Sequence, residues 1–411
     1  TGIPRYHLPG EVLDGEIARL ERLGVEFRLK HPVLKLAQLF RMGYDAVFLG
    51  IGLTQGRMLP IPGRELEGVL TGLSFLRSVS LGQAVSLGDR VLVLGGGGVA
   101  CDVARTALRM GAAQVSLACL ESREQMPALP WEVAEAEKEG VTLYPGRTFV
   151  RILGENHVTG VECRRLSWMK FDENGKLQME VIEGSEHALE ADTVIFATGQ
   201  AADLGIVAGN DEIKITGRGT IEVDPGTLAT GRRHVFAGGD IVSGQTVINA
   251  IAAGRKAAVA IDKDLGGRGI IGPAAVPARE AVAALPPSLP VGERGLMPLA
   301  PVAERLNSFM EVELGLAAEM AAAQAQRCLR CDLPITITPA NCTGCRICEF
   351  RCSLSHGDGF NLSRARIKVR RLVGAENEYD VAITEECDDC GICVRYCPYR
   401  ALTRSREEQE A

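Results

Sequence analysis

Apolar and polar positions along the chain sort it into helices, strands and turns. In EVLDGEIARLERLG, residues 11–24, apolar residues including Val12, Ile17 and Leu20 recur at helical spacing among charged ones. YDAVFLGIG, residues 44–52, is a short unbroken apolar run entering glycines, the pattern of a buried strand and its turn. GDRVLVL, residues 88–94, repeats that pattern, and GGGGVACDVARTALRMGA takes up helical spacing after Gly98. AQVSLACLES, residues 113–122, reads as the next strand. Strand, glycine turn, helix, strand is the mononucleotide-binding unit of a doubly wound parallel sheet, so the expected fold class is α/β, doubly wound and Rossmann-like.

Between residues 150 and 194 the pattern shifts to hairpin-like strands, with a turn at DENGK and a polar EGSEHALEAD, and predicts a meander beside the sheet. ADTVIFATGQ and RRHVFAGGDIV each give an apolar strand ending in a glycine turn, and TVINAIAAGRKAAVAIDKDL predicts an alanine-rich helix. Residues 266–301 are rich in Pro, Gly and Ala, with PPSLP at their centre, and read as a linker. A short helix in ELGLAAEMAAAQAQRCLRC follows, then a cysteine-rich module and the polar tail RSREEQEA. The expected divisions are 1–86, 87–200, 201–265, a linker with its helix at 266–335, and a small α+β module at 336–404.

At 411 residues the chain exceeds a single ordinary core, in keeping with several domains. The formal net charge of -7 gives no blanket attraction to nucleic acid or to an anionic membrane. No apolar run reaches the roughly 18 residues of a membrane span, and TGIPRYHLPG has no leader pattern, so a cytoplasmic location is expected. Of the 13 cysteines, eight fall in two tight runs suited to metal ligation in a reducing compartment rather than to disulfides.

Cys342, Cys345, Cys348 and Cys352 have CxxCxxCxxxC spacing, and Cys387, Cys390, Cys393 and Cys397 repeat it, ending in CP at Pro398. Two such runs make the two-cluster bacterial ferredoxin pattern, in which the fourth cysteine of each run ligates the other cluster. Cys342, Cys345, Cys348 and Cys397 are then expected to hold one 4Fe-4S cluster, and Cys387, Cys390, Cys393 and Cys352 the other. Zinc would favour paired CxxC knuckles over triplets with a distant fourth ligand. The insert between the runs carries Arg364, Arg366, Lys368, Arg370 and Arg371, either a docking stripe for an acidic redox partner or, as the preferred reading, the solvated face of a strand. Cys328 and Cys331 are too few to complete a cluster and receive none. Cys101, Cys119 and Cys163 read as inert buried thiols.

Gly95, Gly97 and Ala100 form GxGxxA between an apolar strand and a helix, with Gly98 and Val99 opening that helix, the setting in which a dinucleotide pyrophosphate is held. Glu121 ends the next strand, where a carboxylate accepts hydrogen bonds from ribose hydroxyls and repels a 2'-phosphate. NAD(H) is therefore preferred over NADP(H), a preference moderated by Arg123. An ordinary surface acid is the other reading of Glu121.

GIPRYHLP, PIPG, GGGGVACDVARTALRMGA, SREQMPALP, ADTVIFATGQ and VFAGGD with TVINAIAAGR, together spanning residues 2–265, resemble the two-dinucleotide-binding flavoproteins typified by the small subunit of bacterial glutamate synthase. The resemblance implies that residues 1–86 and 201–265 belong to an FAD-binding domain and residues 87–200 to an NAD(P)-binding domain. It implies flavin contacts at Gly239, Asp240, Thr246, Val247 and Ala250, with Asp240 on the ribityl chain, and at Ile3 and Pro4 beside the isoalloxazine. Thr198 and Gly199 supply one ATG turn, while the equivalent turn at Gly50, Ile51 and Gly52 departs from ATG. Members of the family open with a further strand and GxGxxG for the ADP half of FAD, absent ahead of GIPRY here, and the expectation is a truncated FAD domain completed by an upstream segment or, less favoured, by a partner subunit.

Together these features predict an NAD(P)H-dependent FAD and iron-sulfur oxidoreductase, or an electron-input subunit, exchanging electrons with a redox partner subunit or ferredoxin in a hetero-oligomer. No side-chain nucleophile or histidine cage is called for, and no dithiol pair marks the nucleotide region as a disulfide reductase. The alternatives are a non-catalytic wiring or assembly subunit, and the glutamate synthase small subunit itself, whose clusters usually precede the flavin domain.

Overall fold

The computed structural model describes residues 2–171, 177–243, 246–270, 295–326, 335–355, 361–372, 378–384, 386–387, 390–399 and 401–404. The DENGK turn, PPSLP, Cys328, Cys331, His356 and most of the polar tail lie outside the described residues. The chain divides into one unit of residues 1–275 with 298–314, and a second of residues 276–297 with 315–411.

In the first unit the elements that position the site are α1 (Gly10–Arg22), β1 (Val47–Leu49), β2 (Val69–Thr71), α2 (Gly72–Ser80), β3 (Arg90–Leu94), α3 (Gly98–Arg109), β4 (Gln114–Ala118), α4 (Pro130–Lys138), β5 (Thr142–Tyr144), β6 (Thr193–Phe196), β7 (Val235–Ala237) and α5 (Val247–Asp264). Five strands form one parallel sheet in the order β2-β6-β3-β4-β5. RVLVL is apolar at successive positions because both faces of β3 are covered. Val91 and Val93 face Ala100, Val103, Ala104 and Ala107 of α3, whose small side chains let the helix lie close to the sheet. Leu92 and Leu94 face the other way, into a cluster with Phe149, Ile152 and Val161. Those last residues come from the antiparallel meander Arg147–Gly154, Val158–Phe171, Leu177–Val181 and His187–Glu190, where the change of periodicity placed it.

β1 and β7 pair in parallel as a separate two-stranded sheet, backed by Leu36, Val207, Ile221 and Ile241. α1 buries none of its residues, and Val12 and Leu13 are exposed. α5 buries only Ala257 and exposes Val247, Ile248 and Ile251. Among the described residues no helix is long and apolar enough to cross a membrane.

In the second unit α6 (Ile347–Ser355), β8 (Ile367–Arg371), β9 (Tyr379–Ile383) and α7 (Ile392–Arg395) carry the cysteine module. β8 and β9 are antiparallel, and the strand Ile335–Ile337 pairs with Leu402–Arg404, so the two ends of the module meet. Cys348, Cys352 and Cys393 share its core with Ile367, Val369, Val381 and Leu402. The helix expected within residues 313–331 runs over Ala318–Gln326.

Candidate functional site

Gly95 ends β3 at φ 138°, and a Cβ there would stand 2.4 Å from the Ala197 carbonyl oxygen, so glycine alone lets the β3 and β6 turns pass. Gly97 precedes α3 in extended backbone, and nothing lies within 4 Å of where its Cβ would be. That opening lies at the start of α3, where the first N–H groups lack helical partners and the helix dipole favours an anion. Gly98 and Val99 are partly exposed there and Ala100 is buried against the sheet. Thr198 and Gly199 close the adjoining β6 turn, the Thr198 hydroxyl donating to the Arg57 carbonyl oxygen at 2.9 Å and Gly199 holding φ 110°.

The turn after β4 brings Glu121 to the same place. Its Oε2 lies 2.9 Å from where a Gly96 Cβ would stand. Arg123 is ion-paired with Glu137 on the surface, both side chains well exposed. Two features of this edge had no specific sequence expectation. The Ala128 N–H donates to the Gly96 carbonyl oxygen at 3.0 Å, laying the segment before α4 along the glycine turn. Glu132 accepts from the Leu129 N–H at 2.7 Å, and its carboxylate also comes within 3.0 Å of the Cβ position of Gly98. Pro130 at the first helical position, with Glu132 two residues on, was the available signal for this helix start.

A second set gathers at the carboxyl ends of β1 and β7, the edge where open α/β sheets receive ligands. The Gly238 N–H donates to the Leu49 carbonyl oxygen at 3.2 Å, which sets Gly50 beside Gly238 and Gly239. A side chain at Gly238 would meet Phe48 at 2.9 Å and Ala253 at 3.0 Å. Gly239, at φ 73°, faces Ala250 of α5, and Asp240 follows it, partly exposed. Thr246 caps α5 by accepting from the Asn249 N–H at 3.2 Å, and Val247 and Ala250 are open to solvent. Gly52 holds φ 64° in the turn after β1.

Ile3 and Pro4 belong to a turn fastened to α2 and α3. Gly2 packs on Leu73, and the Tyr6 hydroxyl donates to Asp102 of α3, at 3.3 Å to its carbonyl oxygen. His7 Nε2 lies 3.1 Å from Asp102 Oδ1. Pro4 is buried and Ile3 exposed.

In the second unit one cavity is lined by Cys342, Cys345, Cys348 and Cys397, with Thr343, Arg346, Val369, Val381, Pro398 and Leu402 among its walls. The first run is thus joined by the last cysteine of the second. The Cys393 thiol is pushed up to about 11, first by burial and then by its neighbours Cys352, Cys387 and Cys390, which are the complementary set. Cys352 Sγ accepts from the Arg366 N–H at 3.2 Å. Among the described residues no three His, Cys, Asp or Glu side chains come together closely enough for a single ion. Cys342, Cys345, Cys348 and Cys397 about one cavity supply four thiols, the ligand set a 4Fe-4S cluster takes. Of the basic stripe, Lys368 donates to the Leu362 and Ser363 carbonyl oxygens, and Arg370 and Arg371 project outward from β8 opposite Asp380 and Tyr379.

Cys101, Cys119 and Cys163 are buried, and burial pushes each thiol up to about 12. Protonated thiols of that kind are poor nucleophiles.

Parallel sheet, glycine turns and cysteine module define a Rossmann-like nucleotide-binding oxidoreductase joined to a small ferredoxin-like unit. The chain belongs to the pyridine nucleotide-disulphide oxidoreductase family, whose pattern matches residues 14–254, and a 4Fe-4S binding domain matches residues 381–403. It is 41% identical over 348 residues to the NADP(+)-dependent formate dehydrogenase subunit beta of Moorella thermoacetica, covering 80% of this chain and 49% of that one. It is 32% identical over 376 residues to the NADPH-Fe(3+) oxidoreductase subunit beta of Geobacter sulfurreducens, covering 80% and 55%. The glutamate synthase [NADPH] small chain of Halomonas elongata is 36% identical over 273 residues, covering 62% and 58%. The chain thus spans about half the length of the first two relatives. The family matches support FAD and 4Fe-4S chemistry.

Proposed function

We propose that this chain is the electron-transfer part of an NADP(H)-dependent flavin and iron-sulfur oxidoreductase, working as a subunit of a hetero-oligomer in a reducing, cytoplasmic setting. The observation that carries the reading is the cavity lined by Cys342, Cys345, Cys348 and Cys397 in the same chain as the glycine turn at Gly95–Gly98. When bound, FAD would supply acceptance of a hydride, two electrons and one proton, from the nicotinamide nucleotide, and 4Fe-4S clusters would supply one-electron transfer onward.

The protein's own residues bind and orient. Gly97 admits a pyrophosphate to the start of α3, and Ala197, Thr198 and Gly199 bound the adjoining turn. Gly239, Asp240, Thr246, Val247 and Ala250, with Gly50 and Gly52, are the flavin side, and Ile3 and Pro4 approach it from the turn held on α3. Cys342, Cys345, Cys348 and Cys397 hold one cluster, and Cys387, Cys390, Cys393 and Cys352 the other. By this reading residues 1–86 and 201–265 serve FAD, 87–200 the nicotinamide nucleotide and 336–404 the clusters.

The preference for NAD(H) read from Glu121 is revised. The relatives at 41% and 32% identity carry NADP(+) or NADPH in their names. In this structure Arg123 makes an exposed ion pair with Glu137, a contact worth about 0–1 kcal/mol and readily exchanged for a 2'-phosphate. Glu121, whose carboxylate is turned back over Gly96, is the ribose-side acid.

The test is anaerobic addition of NADPH or NADH to the full-length protein loaded with FAD and clusters, following flavin absorbance at about 450 nm. NADPH is expected to bleach the flavin at lower concentration than NADH and then to reduce the clusters. A flavin that neither nucleotide bleaches would leave only a wiring role.

A further inference from the structure

The two cysteine runs share their ligand spacing but not their charges. In the first, Thr343 and Gly344 and then Arg346 and Ile347 lie between cysteines, and Glu349 follows Cys348. In the second the same places hold Asp388 and Asp389, then Gly391 and Ile392, and Val394 follows Cys393. Arg346 sits at φ 57° directly before α6 and Gly391 at φ 71° directly before α7, so each helix starts from a left-handed residue. Glycine adopts that conformation freely, whereas a Cβ disfavours it. The first run therefore keeps an arginine where its own backbone, like that of the second run, favours glycine. Strain of this kind persists only where surrounding contacts impose it, and it gathers at functional sites.

The contact that holds Arg346 is Glu349. This side chain is only 2% exposed, accepts from the Val369 N–H of β8 at 2.8 Å through Oε1, and pairs with Arg346 Nε through Oε2. A carboxylate so far from solvent needs both a charge partner and hydrogen bonds, and here it has them. Arg346 is half-exposed and is one wall of the cavity of Cys342, Cys345, Cys348 and Cys397, whereas Glu349 is not among those walls. A cationic residue thus borders that cavity with its counter-charge set behind it. At the matching positions of the second run, Gly391 and Val394 carry no charge.

We propose that the Arg346–Glu349 pair sets the reduction potential of the cluster held by Cys342, Cys345, Cys348 and Cys397, Arg346 raising it and Glu349 lowering it, so that two clusters with like ligands differ in their hold on an electron. The proposal rests on the reading above that both cysteine sets carry 4Fe-4S clusters. An added electron makes a cluster more negative by one charge, which a nearby cation favours and a nearby carboxylate opposes. Neither residue ligates iron; both act through charge.

The experiment is an anaerobic redox titration of the full-length, cluster-loaded protein with dithionite, read by electron paramagnetic resonance. Arg346→Gly relieves the unfavourable φ along with removing the cation, so it should fold, and one midpoint should fall by about 59 mV, a tenfold change in the ratio of reduced to oxidised cluster. Arg346→Lys keeps the charge and should leave that midpoint in place. Glu349→Gln keeps an acceptor for the Val369 N–H and should raise the same midpoint. The other midpoint should not move in any of them, and in Cys397→Ser, which lacks a ligand of the first set, adding Arg346→Gly should shift nothing. A merely structural role would not move Arg346→Gly and Glu349→Gln in opposite directions. Shifts of one sign, shifts of both midpoints, a shift that survives in Cys397→Ser, or none at all would overturn the proposal. Iron and sulfide are counted first: a protein without clusters sinks the cluster reading and the proposal with it, whereas two clusters of unmoved potential sink the proposal alone.

Discussion

A methyl group at residue 97 has room in the protein and none against a bound pyrophosphate. The backbone of Gly97 sits at φ -90°, open to any residue, and its Cβ position is empty, so Gly97→Ala should unfold at the parent temperature. The same methyl would stand at the opening before α3 and block close approach of the anion, so NADPH affinity should fall tenfold or more, about 1.4 kcal/mol, by fluorescence titration. An unchanged affinity would move the nucleotide elsewhere. Gly95 has the opposite reason to be glycine, a positive φ and a carbonyl oxygen 2.4 Å from its would-be Cβ, and alanine there should cost stability. Both glycines were legible in the sequence because a strand and a helix flank them. Which contact each avoids was not, since Ala197 lies about a hundred positions away.

Helices α3 and α4 meet through Glu139, just beyond the end of α4. Burial alone would raise its carboxyl, but hydrogen bonds and charge from Arg109 and Arg105 outweigh it and hold the group down at about 2. A carboxyl lowered on folding contributes stability in full above its unfolded value of about 4.5, and that contribution is lost as pH falls toward 2. The expected size is about 3 kcal/mol. Urea midpoints of the unaltered chain should decline between those pH values, and Glu139→Gln should be less stable at pH 7 with a shallower acid slope. Equal slopes would mean that the node does not titrate as placed. β3, α3 and β4 could be read from periodicity because each packs within one sheet layer. The node could not, because Arg105 and Arg109 look like an exposed i, i+4 pair until Glu139 and Arg305 arrive from about 30 and 200 positions downstream. Residues 298–314 likewise carry no period of their own, being held by Tyr6, Glu135 and their own turn rather than by an amphipathic face.

Across the whole molecule, the reading depends on two sets of thiols that each draw on both cysteine runs. The two-run ferredoxin pattern raised the expectation of crossing, and the placement of the thiols supports proposing it: Cys397, after α7, lines the cavity of Cys342, Cys345 and Cys348, while Cys352, one turn along α6 from Cys348, neighbours Cys393. Crossed ligation would tie the halves of the module together, so under it one substitution has a specific consequence. Cys397→Ser removes a thiolate from the first set and leaves Cys387, Cys390, Cys393 and Cys352 whole. Purified variant should hold about half the iron and acid-labile sulfide of the parent, with the remaining cluster still paramagnetic on reduction. If ligation were confined within each run, Cys397→Ser would strip the second set instead, and combining it with Cys342→Ser would damage both clusters. Under crossed ligation the double variant strikes a single set twice and should retain the same half of the iron as the single one. Iron content of that double variant therefore separates the two arrangements, and zinc in place of iron and sulfide in the parent would exclude both.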